Sequence, residues 1–288
     1  MRSRPSSDAR GRGTIERPRR HRKRELFPLL CAGAALVVLL FVGATVLTIA
    51  FNGITHFHEA VTSEEVLFSL RLSVITSTIS TAVCLVLSLP TAYVLTRTRI
   101  PGRRVMEILM ELTLSLPYIV LGFALLVMFS SPAGKALAGA GFAVVFQPAG
   151  IVLAQMIVNI PFSVRMVRTA FADVNPRVEF VAKTLGASSL ATFVTVTLPA
   201  CRNALISTFI LTWARGMGEF GGTLMLVGVT RMRTETLPGS IYLSISTGNT
   251  DTAMATAMIM LLVSAATLVL ANVFNRPAQA SRIDAGRR

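Results

Sequence analysis

Residues 26–51 form a run of 26 positions without a single charged side chain. About 18 or more such residues are enough to cross the ~30 Å hydrocarbon layer of a bilayer as a helix. Further apolar spans are expected at 66–95, at 105–129, from a start between 146 and 150 to 167, at 203–229 and at 252–274. Inside a bilayer every backbone N–H and C=O must find a partner within the protein, so runs of this kind fold as helices. The expected class is therefore an all-α membrane protein with about six transmembrane helices. A glycine-rich apolar piece at 136–145 is too short to span and is expected to be re-entrant or interfacial.

Charge supplies an orientation. Of the 28 Lys+Arg, 23 lie in 1–25, 97–104, 165–202 and 276–288, against only Lys135, Arg231 and Arg233 in the alternate loops; Arg71 and Arg215 lie inside spans. Cytosolic loops carry the excess of Lys and Arg, so both termini are expected in the cytosol. The chain then divides into a basic cytosolic tail at 1–25, expected to be disordered, a transmembrane domain at 26–275, and a cytosolic C-terminal tail at 276–288. The first span follows a basic segment, as in a signal peptide, but exceeds the ~7–15 residues of a signal core and reads as an uncleaved anchor. The net charge of +14 is thus a topology signal. Nucleic acid is not an expected partner, because no soluble fold is left to present a basic face.

Several kinds of chemistry are absent from the pattern. Cys31, Cys84 and Cys201 form no CxxC pair and read as small residues of apolar runs. His56, His58 and Glu59 fall short of the three or four convergent ligands a metal needs, so no metal is expected. A phosphate-cradling loop ends in Gly-Lys-Ser/Thr, whereas Gly134-Lys135 is followed by Ala136. No nucleophilic triad or paired-carboxylate site is visible. The chain reads as a non-enzyme with no cofactor of its own, and any ATP and Mg would belong to a partner.

The loop between spans four and five is the most informative. Asn175 is a helix cap, Pro176 suits a first helical position and Gly186 is a terminator. Val178, Val181, Ala182 and Leu185 recur at three- and four-residue spacing and give one apolar face. A short amphipathic helix of this kind lies on a lipid surface or docks into a partner's groove.

Gly186, nine residues, Val196, one residue, then Leu198-Pro199 resembles the cytoplasmic signature loop of ABC importer permeases. In that signature the glutamate position falls on Phe180, with Glu179 one place earlier. Leu89–Tyr93, Leu116–Gly122, Ala154-Gln155 with Ile160-Pro161-Phe162, Ala214–Leu226 and Thr234–Pro238 with Ile241-Tyr242 are similar to the molybdate, tungstate and sulfate branch of the family. The resemblance implies the type I permease fold in a prokaryotic cell membrane, with a cytosolic coupling helix between spans four and five. It implies a second copy of the chain, two ABC ATPase subunits and an extracytoplasmic oxyanion-binding protein as partners. Glu179, Phe180, Val181, Ala182, Leu185, Gly186, Leu198 and Pro199 would couple the chain to the ATPase.

Arg215 and Glu219 lie four apart on span five, hence on one helical face. Charges at bilayer depth are costly and face protein or a wet path. Two readings stay open: a path-lining pair that attracts an anion, or a mutual ion pair that fixes packing. Gly218, Gly221 and Gly222, with Gly216, permit close helix approach or a local break. The path or gate is expected at Arg215, Gly218, Glu219, Gly221 and Gly222. Arg71, Arg231 and Arg233 either anchor the outer interface or make an anion-attracting vestibule. Two rivals from other classes are a gradient-driven transporter, which would show internal repeats that this sequence lacks, and an assembly protein with no cargo.

Overall fold

The computed structural model describes the backbone of residues 26–98 and 100–285 and the side chains of 27–98 and 100–274. The basic segment expected at 1–25 lies outside the described residues. Among the described residues the chain is helical, without strands. It divides into two units, one ending at Leu47 and one beginning at Thr48. The first helix, α1 (Leu26–Thr55), is apolar all round, and Phe27, Leu36, Leu40 and Phe41 are each more than half exposed. A helix with no polar face is at home in hydrocarbon.

After a short turn of helix, α2 (Phe57–Thr62), α3 (Glu64–Arg97) forms the second span. It is inverted relative to a water-soluble helix. Ser69, Ser73, Thr76, Ser77, Ser80, Thr81, Cys84 and Ser88 are buried, while Leu67, Ile75, Ile79 and Val86 point outward. Small side chains let helix backbones approach closely where lipid offers no hydrophobic drive to associate. The hydroxyls of Ser69, Thr76 and Ser80 return hydrogen bonds to their own helix, as from Thr76 Oγ1 to the Leu72 carbonyl at 2.9 Å, while Ser73 accepts from the Leu237 N–H. The buried stripe packs on α7 (Pro148–Ala172), the fourth span.

The third span is not continuous. It consists of α4 (Arg103–Ser115) and α5 (Tyr118–Ser130), bent by 112° at Leu116-Pro117. Pro117 has no N–H and forces Leu116 into an extended conformation, which ends the helix. The short piece expected at 136–145 is helical earlier, as α6 (Pro132–Gly139), followed by a non-helical segment up to α7.

The fifth span is also broken. The segment after α7 runs through α8 (Pro176–Thr184), α9 (Ser189–Thr192), a π-helical turn at Phe193–Thr197 and α10 (Leu198–Ala200). A 74° bend then leads into α11 (Arg202–Met217). The helix stops at Gly218 and restarts as α12 (Gly221–Val227), so 203–229 is not one rod. Glycine weakens a helix by about 1 kcal/mol per residue relative to alanine, and four glycines cluster here. The expected external loop holds a further helix, α13 (Leu237–Ser246), and α14 (Thr250–Ala285) continues past the expected end of span six at 274. Among the described residues four helices are long and apolar enough to cross a membrane, or up to six spans if each bent pair is one.

Ala92 and Leu95 of α3, Val164, Val167 and Phe171 of α7, Val174 and Cys201 form a core at the α8 end of this body. Phe193 completes it, standing edge-on to Tyr93 at 5.1 Å and to Phe171 at 5.8 Å between ring centroids.

Candidate functional site

The sequence builds α8 from local signals. The Asn175 side chain accepts from the Arg177 N–H at 3.0 Å, and Pro176 opens the helix. Gly186 sits at φ +92°, and the Ala187 N–H reaches back to the Ala182 carbonyl at 3.1 Å, closing the C-terminus. One side of α8 faces the body and the other does not. Phe180 is 67% and Leu185 83% exposed, and Val178 and Val181 are also exposed. Leu198 packs on the core beneath, whereas Pro199 is exposed.

Glu179 is the one buried residue of α8. Its Oε1 accepts from Arg97 Nη2 at 3.0 Å, Arg97 Nε at 3.2 Å and Thr197 Oγ1 at 3.0 Å. Arg97 Nη2 also donates to the carbonyls of Phe171 at 2.8 Å and Val174 at 3.2 Å. One ion pair therefore joins the end of α3, the end of α7, α8 and the π-helical turn. Arg97 and Thr197 were not among the candidate residues. They lie 82 and 18 positions from Glu179, beyond the reach of helical periodicity.

The region 215–222 departs from a single helical face. Glu219 lies in the break after α11, not on it, and forms no ion pair with Arg215 among the described residues. Its carboxylate caps α12 instead, accepting from the Gly222 N–H at 2.7 Å, the Thr223 N–H at 3.1 Å and the Thr223 hydroxyl. The two N–H groups are orphans of a helix N-terminus, where negative charge is favoured. The mutual ion pair is thus corrected: four-residue spacing gives a shared face only in a continuous helix. Arg215 turns to aromatic rings, with its guanidinium 4.5 Å from the Phe162 centroid and 5.9 Å from that of Tyr118. It donates to the Tyr118 hydroxyl at 2.6 Å. Cation–ring contacts of this kind contribute about 0.5–2 kcal/mol. Gly218 ends α11, while Gly221 and Gly222 bring α12 against Tyr118 and Ile119 at the start of α5. In thermal unfolding of the purified chain, the losses from Arg215→Ala and Glu219→Gln are expected to add, with coupling below about 0.5 kcal/mol. Coupling well above that would restore the direct pair.

Gln155 of α7 figures only in the family resemblance and not among the candidate site residues. Gln155 Nε2 donates to the Gly216 carbonyl at 3.0 Å and lies 3.3 Å from Ser77 Oγ, tying α3, α7 and α11 together. Of Arg71, Arg231 and Arg233, Arg231 pairs with Glu65 at 2.9 Å.

The family described as "Binding-protein-dependent transport system inner membrane component" matches residues 85–278. The chain is 37% identical over 244 residues to the molybdenum transport system permease protein ModB of Mycobacterium tuberculosis, covering 83% of this chain and 90% of the relative. It is 30% identical over 231 residues to the sulfate transport system permease protein CysT of Escherichia coli, covering 80% and 83%. Among solved structures, it resembles a chain of a bacterial alginate ABC transporter in complex with an alginate pentasaccharide-bound periplasmic protein. The TM-score is 0.73 at 17% identity, covering 89% of this chain and 96% of that one, a likeness of fold.

Proposed function

The chain belongs to the family of binding-protein-dependent transport system inner membrane components, the permeases of ABC importers, and on that premise we propose that it imports a small oxyanion, molybdate or tungstate, driven by ATP. The observation that carries the reading is α8. It is a capped helix whose buried side is fixed to the body by Glu179 and whose other side leaves Phe180, Val181 and Leu185 exposed among the described residues. A helix-in-groove contact uses an apolar face of this kind. Two copies of the chain form the translocation path, two ATPase subunits receive the α8 helices, and an extracytoplasmic protein delivers the anion. Both termini and α8 lie in the cytosol, as the distribution of Lys and Arg supports. ATP and Mg are bound by the ATPase.

The relatives favour molybdenum over sulfur as cargo, at 37% against 30% identity. The similarity to CysT keeps sulfate as the second reading. Arg215, a cation held between two rings beside a helix break, is the residue of the path; Gly218, Glu219, Gly221 and Gly222 shape that break.

The test is reconstitution with the ATPase and binding protein in vesicles, measuring uptake of molybdate, tungstate and sulfate. ATP-dependent uptake of molybdate ahead of sulfate is expected. In the same system Leu185→Asp, at the most exposed apolar position of α8, is expected to lower co-purification with the ATPase at least about tenfold, as loss of a central interface anchor does. Its level in the membrane should not change. Uptake that persists without any ATPase would remove the proposal.

A further inference from the structure

A cavity of about 710 Å³ opens at the α8 end of the body, between the last turn of α3, α4 and the second half of α7. Arg103, Arg165 and Arg168 line it together with Glu107 and Glu111. Two of these arginines converge on one oxygen: Glu107 Oε1 lies 2.9 Å from Arg168 Nη2 and 3.2 Å from Arg103 Nε. Guanidinium groups hold an oxyanion oxygen in this way, through charge-assisted N–H donors. Arg165, one turn before Arg168 on α7, is exposed and forms no ion pair among the described residues.

Pro161 lines the cavity and directly precedes Phe162, one of the two rings that hold Arg215. Along α7, Phe162, Arg165 and Arg168 succeed one another at three-residue intervals, roughly one turn each. Two arginines of the cavity thus lie on α7 within two turns of the ring that holds Arg215.

We propose that this cavity is a weak binding site for a tetrahedral dianionic oxyanion at the exit end of the permease. Glu107 occupies the anion's place between Arg103 and Arg168 and competes with it. The inference rests on the oxyanion-permease reading given above. Two free arginines facing a dianion would retain it. With Glu107 seated between them, the three arginines and two glutamates of the lining leave one net positive charge. Arg165 is the arginine that holds no ion pair among the described residues, and the anion is released when Glu107 returns. Discrimination of this sort comes from a built-in repulsive group as much as from an attractive one.

The test is equilibrium binding of radiolabelled molybdate to the full-length chain in lipid nanodiscs, at constant ionic strength set with chloride. Glu107→Gln is expected to lower the half-saturating molybdate concentration about tenfold, and Arg165→Gln to raise it several-fold. Equal half-saturation in the wild type and both variants would overturn the site, as would a shift of the same size for chloride. If Glu107→Gln fails to fold, Arg165→Gln decides alone, because its exposed side chain holds no ion pair to lose. Uptake by the reconstituted importer is measured in parallel. Uptake with unchanged binding refutes the cavity and keeps the transport reading, whereas altered binding without uptake keeps the anion site and refutes the transport reading.

Discussion

Replacing Glu179 with alanine is expected to abolish coupled uptake while leaving the chain in the membrane and the ATPase able to turn over. The side chains of Arg97 and Glu179 are only 15% and 9% exposed. Removing one partner of such a pair leaves the other charge buried, at a cost of about 3–5 kcal/mol. That cost falls on the joint between α8 and the body, since α8 has no other buried residue. On the proposed reading, an α8 helix that tilts freely would still bind the ATPase through Phe180 and Leu185 but would no longer pass displacement into α3 and α7. Glu179→Gln should be milder, because the amide oxygen still accepts from Thr197 and Arg97. Exchanging the two charges should not rescue function: Arg97 also donates to the Phe171 and Val174 carbonyls, and a glutamate at 97 has nothing to donate. Hydrogen exchange over 176–186 and the number of oxyanions moved per ATP are the measurements. Unchanged protection and unchanged coupling in Glu179→Ala would show that the pair transmits nothing.

The contrast between α8 and its anchor shows what the sequence makes legible. Asn175, Pro176, the apolar recurrence and Gly186 act within a dozen residues, and the helix they specify stands at Pro176–Thr184. The anchor depends on which side of that helix meets the body. The signature glutamate position falls on Phe180, yet it is Glu179 that turns inward to meet Arg97, while Phe180 and Leu185 stay exposed. A one-place offset rotates a helical position by about 100°. Motif alignment alone cannot supply that rotation; packing does.

The spans were legible as composition and not as shape. Apolar content fixes where chain can enter a bilayer, and α1, α3, α7 and α14 follow the expected spans closely. Content is blind to a bend. Pro117 and the glycines at 216–222 stand in plain view, but proline and glycine are tolerated in intact membrane helices. Each break has a local element, Pro117 in one and Glu219 capping the N–H groups of Gly222 and Thr223 three and four residues on in the other, but the packing of α5 against α12 that accompanies them is long-range. The serine and threonine stripe of α3 carries a related lesson. In water its apolar residues would mark the core, and here they mark the outside.

The helix crossing of α5 with α12 yields the second large effect. A Cβ at Gly122 would lie 2.4 Å from the Gly222 carbonyl oxygen and 2.6 Å from its Cα, whereas one at Gly222 would meet only the tip of Glu219 at 3.0 Å and the Tyr118 carbonyl at 3.4 Å. The two glycines are therefore unequal. Gly122→Ala must push apart two backbones and should exceed the about 1–3 kcal/mol usual for overpacking. Gly222→Ala displaces a side-chain oxygen and should stay within that range. Because Tyr118 at the start of α5 holds Arg215, separating α5 from α12 also disturbs the ring cluster, so Gly122→Ala should lose uptake along with stability. Gly139→Ala, at the end of α6 with open space around it, serves as the control and should change neither. Melting of the purified variants by fluorescence-detected size exclusion ranks them. A Gly122→Ala chain as stable as the wild type, or one less damaged than Gly222→Ala, would mean that α5 and α12 do not cross at these two glycines.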